Sequence, residues 1–224
     1  MSPFWGMESE TKNASYIRSN KSRCWKLSKM DQQLPTGRGP LVRGNNHRWQ
    51  LEPDVFWRNY TPIGRPERTH LLYEIRWGQS HRYWRNWCTS NSTHHAEINF
   101  LENACEEIDR RTTTPCTVTW FLTWSPCGKC SGRIKQFLQE HPHVTLEIRA
   151  AKLFNHNYWC NQKGLRDLAN FGVRIYIMQL ADYLYCWRTF VAHQRNEEYF
   201  SLLWRFLPSI MFYSQQLDSI LRPF

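Results

Sequence analysis

The 224-residue chain has no apolar run long enough to cross a membrane. A spanning helix needs about 20 apolar residues in succession. The most apolar late stretch, Ser201–Phe212, is shorter and is interrupted by Arg205 and Pro208. The N-terminus also lacks the charged-then-apolar order of a signal peptide, because Met1–Glu10 is followed by polar sequence. These absences predict a soluble intracellular protein with no membrane partner.

Cysteine is too sparse for a disulfide scaffold, because only eight occur in a chain of this length. Only Cys127 and Cys130 form a close pair, and in a reducing compartment such a pair usually binds metal or performs redox chemistry. Apolar side chains, in contrast, are plentiful. With 41% hydrophobic and 15% aromatic residues the chain can build a core, which excludes global disorder.

Acidic residues are scarce near the N-terminus. Residues 1–70 carry 12 basic and six acidic side chains, which supplies +6 of the formal net charge of +10. This excess favours a polyanionic partner, with nucleic acid ahead of an anionic membrane surface. A solvated tail rich in lysine and arginine explains the same excess.

Periodic apolar spacing is absent from residues 1–48, which are rich in Ser, Asn, Gly and basic residues. This composition predicts a flexible, basic N-terminal extension ahead of a single domain at residues 49–224. Helical patterns occupy Glu52–Tyr60, His95–Glu107, a segment capped by Ser125, Gly164–Asn170, Asp182–Ala192, and Glu197–Leu221 with a break at Pro208.

Five segments of the domain have strand-like patterns and mostly alternate with those helices. They are Leu71–Trp77, His81–Cys88, Thr117–Trp124, Val144–Ile148 and Val173–Ile177. The first two are predicted to form a hairpin, and the others alternate with helices. This order predicts an α/β fold with a five-stranded mixed sheet covered by helices on both faces.

Two short motifs carry the chemistry. His95-Ala96-Glu97 is followed by 28 residues and then by Pro126-Cys127-Gly128-Lys129-Cys130. Two cysteines three apart at the start of a helix share a face, and the helix N-terminus favours their thiolate form. With His95 they make three zinc ligands, which is the number found in catalytic rather than structural zinc sites.

A zinc site with an open position lowers the pKa of water toward about 7. Glu97, two residues from the ligand His95, is placed to move protons during attack on an amino-substituted ring carbon. An alternative stays open at this point. Cys88, Cys105 or Cys116 could complete a four-ligand structural site, with Glu97 a solvated helix residue.

The segment Thr119–Cys127 resembles the signature strand and helix start of the AID/APOBEC polynucleotide cytidine deaminases. The resemblance extends from about Leu51 to Phe190. Within the family, the chain looks most like the branch of the apolipoprotein B mRNA-editing deaminase. It implies a cytidine-deaminase-like fold and zinc-dependent conversion of cytosine to uracil in single-stranded DNA or RNA. It also implies one zinc ion per chain, held by His95, Cys127 and Cys130, with Glu97 as the proton shuttle.

The resemblance further implies a set of substrate-binding residues around the target base and its 5′ neighbour. They are Thr69, Asn91, Trp124, Ser125, Phe154, Asn155, His156 and Tyr158. It allows an RNA-binding auxiliary protein and a homo-oligomer as partners, with residence in the cytoplasm and the nucleus. Two other functions remain open: a zinc-stabilised nucleic-acid-binding adaptor without turnover, and a deaminase of free cytidine.

Overall fold

The computed structural model describes residues 50–66, 68–103, 105–192 and 203–222, and at Cys105 and Glu106 it describes the backbone alone. The strands are β1 (His70–Trp77), β2 (Trp84–Thr89), β3 (Cys116–Leu122), β4 (Val144–Ala150) and β5 (Arg174–Ile177). The helices are α1 (Pro53–Tyr60), α2 (Ala96–Asn103), α3 (Cys105–Asp109), α4 (Gly128–Glu140), α5 (Trp159–Asn170), α6 (Leu180–Phe190) and α7 (Leu207–Leu221).

The five strands form one mixed sheet with the order β2-β1-β3-β4-β5. Strand β1 pairs antiparallel with both β2 and β3, whereas β3, β4 and β5 run parallel. The predicted five-stranded mixed sheet is therefore confirmed. Because β3 and β4 end at the same edge, the loops that follow them leave the sheet side by side.

Helices cover both faces of the sheet, as predicted. On one face Phe100 of α2 makes edge-to-face contacts with Tyr73 of β1 and Trp120 of β3, at ring-centroid distances of 4.7 and 4.8 Å. On the other face Phe121 of β3 contacts Tyr185 and Phe190 of α6. Neighbouring residues of β3 thus point to opposite helices, because successive side chains of a strand alternate between faces.

The prediction that Ser125 caps the central helix is wrong. Helix α4 begins at Gly128, and the residue before it, Cys127, has an extended backbone. Ser125 uses its polar groups elsewhere: its N–H donates to the carbonyl of Lys152 (2.8 Å), and its Oγ accepts the N–H of Phe154 (2.9 Å). A serine held by these two hydrogen bonds is not available to cap a helix.

The predicted helix over residues 95–107 corresponds to α2 and α3, and Ala104 between them lies outside the described residues. Strand β2 begins three residues later than predicted. The Oγ of Ser80 accepts the N–H of Arg82 (3.0 Å) and holds the hairpin turn.

Pro208 starts a helix rather than breaking one. It lies in the first turn of α7, where a missing N–H costs nothing. Residues 197–202, the early part of the predicted helix Glu197–Leu221, lie outside the described residues. So does the predicted boundary at residue 48, and the two-part domain organisation stays a prediction. No helix among the described residues is both long and apolar enough to span a bilayer.

Helices α4 and α5 approach each other closely through two glycines. A Cβ built on Gly164 would lie 2.9 Å from the Cα of Gly128 and 2.8 Å from the Oγ of Ser131. A Cβ built on Gly128 would lie 2.5 Å from the carbonyl oxygen of Cys160. Only hydrogen fits at these positions, so the first turn of α4 is pressed directly against α5.

We expect Gly164→Ala to destabilise the protein by about 1–3 kcal/mol, because the added methyl group overlaps backbone and side-chain atoms of α4. Gly132→Ala is the matched control on α4, since nothing lies within 4 Å of its Cβ position. It should stabilise the protein by about 0.5–1 kcal/mol, as alanine does in an open helix position. Urea unfolding of both variants measures the difference, and equal effects would contradict the described contact.

Candidate metal centre and active site

The metal-binding motif lies at the edge of the sheet where β3 and β4 end. Residues 123–127 connect β3 to α4, and residues 151–158 connect β4 to α5. His95 immediately precedes α2, which packs on β3 through Phe100 and Trp120. The carboxyl ends of parallel strands are the usual ligand-binding edge of an open α/β sheet.

Three potential metal ligands converge at this edge. The Nδ1 atom of His95 lies 3.3 Å from the Sγ of Cys130 and 3.7 Å from the Sγ of Cys127. All three ligand atoms lie within 4.8 Å of one another. Tetrahedral zinc, with bonds of about 2.3 Å to sulfur and about 2.0 Å to nitrogen, separates its ligand atoms by about 3.5 Å. The three side chains therefore fit such an ion.

Hydrogen bonds favour a thiolate at Cys127. The thiol of Cys130 and the backbone N–H groups of Cys130 and Lys129 lower the pKa of Cys127 to about 5, against the opposing effect of burial. The pKa of Cys130 is raised, because it donates its proton to Cys127 and is itself buried. A divalent cation replaces such a shared proton when thiolates bind it.

Within the described side chains the cluster has three members and no fourth protein ligand. Cys88 instead donates its thiol to the carbonyl of Ala96 (3.3 Å). Cys116 is the first residue of β3, whereas the cluster lies beyond the last. The side chain of Cys105 is outside the described part of the structure. A three-ligand set is the arrangement that leaves a position open.

The Glu97 carboxyl is buried beside these ligands and is not one of them. The residue is 3% exposed, in the first turn of α2. Burial raises the pKa of its carboxyl to about 7, and hydrogen bonds from its own backbone N–H and from Cys130 partly oppose that rise. A carboxyl group held in an apolar site next to a metal centre is suited to proton transfer.

Three of the predicted pocket residues lie together beside the cluster. The rings of Trp124 and Phe154 meet edge to face with their centroids 6.3 Å apart. Ser125, which is 2% exposed, positions Phe154 by accepting its backbone N–H. The two aromatic rings are therefore fixed by the loops after β3 and β4, and their predicted contact with a base remains a prediction.

Thr69 and Asn91 belong to the two segments that flank the β1–β2 pair at the same edge. The N–H of Thr69 donates to the Oγ of Ser90 (3.0 Å), and the N–H of Ser90 donates back to the carbonyl of Thr69 (2.9 Å). The Oδ1 of Asn91 accepts the N–H groups of Thr93 (2.9 Å) and His94 (2.7 Å). Asn91 thus organises the loop that delivers His95, in addition to its predicted role in the pocket.

The 154–158 loop, the second part of the connection between β4 and α5, carries the other predicted substrate residues. Asn155 has a positive φ of 40°, in the left-handed region. Tyr158 and the adjoining Trp159 are 63% and 67% exposed. His156 instead packs edge to face against Phe212 of α7, with centroids 5.9 Å apart. Tyr158 and Trp159 are thus exposed to a ligand, whereas part of the His156 ring is covered by Phe212.

Lys152 is a buried residue that the sequence reasoning missed. The residue is 0% exposed, and its Nζ donates to the carbonyl of Thr61 (2.8 Å). The same Nζ lies 4.8 Å from the ring centroid of Trp124. The signal was a single lysine inside the apolar run from Ala150 to Leu153. Lys152 links the loop after α1 to the Trp124 wall of the pocket.

A mixed sheet that brings the His-x-Glu and Pro-Cys-x-x-Cys motifs to one pocket defines the class of zinc deaminases that act on bases. A family model described as APOBEC4-like AID/APOBEC deaminase matches residues 59–193. The chain belongs to the AID/APOBEC deaminase family, and the resemblance seen in the sequence is confirmed.

The chain is also similar to individual members of this family. The chain is 44% identical over 160 residues to the C->U-editing enzyme APOBEC-1 of Mus musculus, covering 71% of this chain and 69% of that protein. It is 42% identical over 165 residues to the Homo sapiens protein of the same name, covering 74% and 70%. It is 30% identical over 151 residues to the DNA dC->dU-editing enzyme APOBEC-3H of Felis catus, covering 67% and 72%.

The burial of Lys152 beside Trp124 can be tested through the pH dependence of stability. Burial lowers the pKa of its ammonium group from 10.5 to about 8, so between these values the unfolded chain binds a proton that the folded protein does not. Stability from this group therefore rises with pH. We expect the unfolding free energy of the wild type, minus that of Lys152→Met, to grow between about pH 7 and pH 10.

Urea unfolding of both proteins across this range measures the effect. Lys135→Met is the control, because Lys135 lies on the outer part of α4 and only approaches the Phe171 ring (5.8 Å). If the unfolding free energy of the wild type minus that of Lys152→Met stays constant or falls over this range, the ammonium group of Lys152 is not destabilised by burial.

Proposed function

We propose that this protein hydrolytically deaminates cytosine to uracil in single-stranded DNA or RNA, using one zinc ion held by His95, Cys127 and Cys130. The observation that carries the proposal is the buried Glu97 carboxyl beside a cluster of three ligands. A structural zinc site has no use for such a group, and a hydrolytic site requires one.

A bound zinc ion would supply the Lewis acid that activates water for attack at the ring carbon bearing the amino group. The carboxylate of Glu97 accepts a proton from the attacking water and delivers it to the adjacent ring nitrogen. Glu97 then takes the second proton from the hydroxyl group now on that carbon and transfers it to the amino group, which leaves as ammonia while the hydroxyl oxygen becomes the carbonyl oxygen of uracil. The reaction consumes one water per cytosine and needs no other reactant.

Two aromatic side chains would bind the target base. The edge-to-face pair Trp124 and Phe154 forms a wall on which a planar base that has left its stack can pack. The buried Lys152 supports this pair, because its Nζ donates to the carbonyl of Thr61 and lies 4.8 Å from the ring centroid of Trp124. Thr69 and Asn91 complete the proposed pocket with polar groups.

Several features favour a polynucleotide over a free nucleoside. Tyr158 and Trp159 expose most of their surface beside the pocket, as expected of side chains on which flanking bases stack. The net charge of +10 supports a polyanionic ligand. The names of the mouse, human and cat relatives describe editing enzymes, and one of them specifies DNA. We assign Asn155, His156 and Tyr158 to contacts with the neighbouring nucleotide.

The proposal extends to location and partners. The six cysteines whose side chains the structure describes are not bridged by disulfides, which suits the reducing cytoplasm and nucleus where RNA and DNA substrates are found. Helix α7 exposes Leu207, Met211 and Phe212, an apolar surface on which an RNA-binding auxiliary protein or a second copy could dock. Imaging of the tagged protein tests the location, and sedimentation with and without RNA tests the assembly.

We expect Glu97→Gln to lower the rate of uracil formation in a single-stranded oligonucleotide by about 10²–10⁴-fold or more, because the amide cannot accept the proton. Zinc content and oligonucleotide affinity should stay at wild-type values, since Glu97 is not a ligand. Glu140→Gln, at the exposed C-terminal end of α4, is the matched control and should retain activity. Sequencing of the treated oligonucleotides measures conversion.

The same assay separates the other functions. Wild-type protein that binds zinc and RNA but converts no cytosine in any single-stranded DNA or RNA would be an adaptor. Conversion of free cytidine at the rate of an oligonucleotide would indicate a nucleoside deaminase. Full activity in Glu97→Gln would refute the proposed mechanism.

A further inference from the structure

Asn161 joins two parts of the proposed active site through a single side chain. The residue lies in the first turn of α5 and is 6% exposed. Its Oδ1 accepts the backbone N–H of Gly128 (2.9 Å), and its Nδ2 donates to the carbonyls of Phe154 and Asn155 (both 3.2 Å). The amide nitrogen and the amide oxygen therefore both bond to backbone groups, and the Oδ1 also accepts the thiol of Cys160 (3.8 Å).

The contact with Gly128 completes the N-terminus of α4. The first N–H groups of a helix have no partner within the helix. Cys127, the residue before the helix, makes no capping hydrogen bond with its side chain, and its sulfur faces His95 and Cys130 instead. The N–H of Gly128, between the two cysteine ligands, is taken by Asn161. This arrangement lets the sulfur of Cys127 serve the metal cluster while the helix start stays hydrogen-bonded.

The contact with the 154–158 loop fixes an unusual backbone. Asn155 adopts a positive φ of 40°, a conformation that residues other than glycine rarely adopt. Its carbonyl accepts both the Nδ2 of Asn161 and the N–H of Tyr158 (3.0 Å). The preceding carbonyl, of Phe154, is held by the same amide. Asn161 therefore sets the path of the loop between the pocket wall and the exposed Tyr158.

We propose that Asn161 is a positioning residue that couples the loop reading the neighbouring nucleotide to the helix carrying the cysteine ligands. This inference rests on the proposed function and adds a specific role for a residue outside the pocket. A nucleotide that shifts the 154–158 loop pulls on Phe154 and, through the same amide, on Gly128. The neighbouring base can thereby influence the geometry at Cys127 and Cys130.

Two substitutions separate the two contacts. Asn161→Asp keeps an oxygen for the N–H of Gly128 but has no N–H for the carbonyls of the loop. Asn161→Leu has a similar size and removes both. Asn170→Asp and Asn170→Leu are the matched controls, because Asn170 is an exposed residue at the other end of the same helix.

We expect Asn161→Asp to keep zinc against a chelator as the wild type does, while amides of residues 154–161 exchange hydrogen about 5–30-fold faster, the effect of losing the two hydrogen bonds to the loop carbonyls. Its preference among 5′ neighbouring bases in an oligonucleotide library should weaken, and its KM should rise more than its kcat falls. Asn161→Leu should show the same changes and also lose zinc to the chelator about fivefold faster.

A purely structural role predicts a different result: lower thermal stability of both variants, with unchanged base preference, KM and zinc retention in the fraction that stays folded. That result would overturn the proposal. Zinc retention and hydrogen exchange need no turnover. A wild-type protein that forms no uracil would therefore refute the proposed function, while unchanged exchange and zinc retention in Asn161→Leu would separately refute the coupling.

Discussion

The N-terminus of helix α4 has to satisfy a thiolate and its own backbone at the same place. Cys127 stands where a capping residue would stand, and its sulfur faces His95 and Cys130. Asn161 takes the place of a capping side chain by accepting the N–H of Gly128, the first residue of the helix. The rest of the site depends on this arrangement, because it leaves the Cys127 sulfur to the cluster at the helix start that also carries Cys130.

The close approach of α5 follows from the same constraint. Asn161 reaches Gly128 only because neither Gly128 nor Gly164 has a side chain to hold the two helices apart. The start of α5 also anchors the 154–158 loop, so the pocket wall and the metal cluster are supported by one helix contact. Ser125 and Lys152 hold the opposite side, where they tie the loops after β3 and β4 to each other and to the loop after α1.

Local patterns in the sequence predicted the sheet, because the alternation in β1 and β3 identifies buried strand faces at short range. The grouping of His95 with Cys127 and Cys130 came instead from the resemblance to a known family, since 31 residues separate His95 from Cys127. The structure brings the three side chains together, and their role as zinc ligands stays a prediction. The capping signal at Ser125 failed because that serine is held by Lys152 and Phe154. Lys152 and Asn161 could not have been assigned roles, since their partners Thr61 and Gly128 are distant in the chain.

The central claim is a metal centre with two sulfur ligands, one imidazole ligand and no fourth side chain, next to a buried carboxyl group. X-ray absorption at the zinc edge of the purified protein tests it most directly. The account predicts two sulfur neighbours at about 2.3 Å and one histidine, in a spectrum that changes when a small competing ligand is added. A third sulfur or a second histidine, with a spectrum insensitive to added ligand, would show a closed structural site and contradict the account.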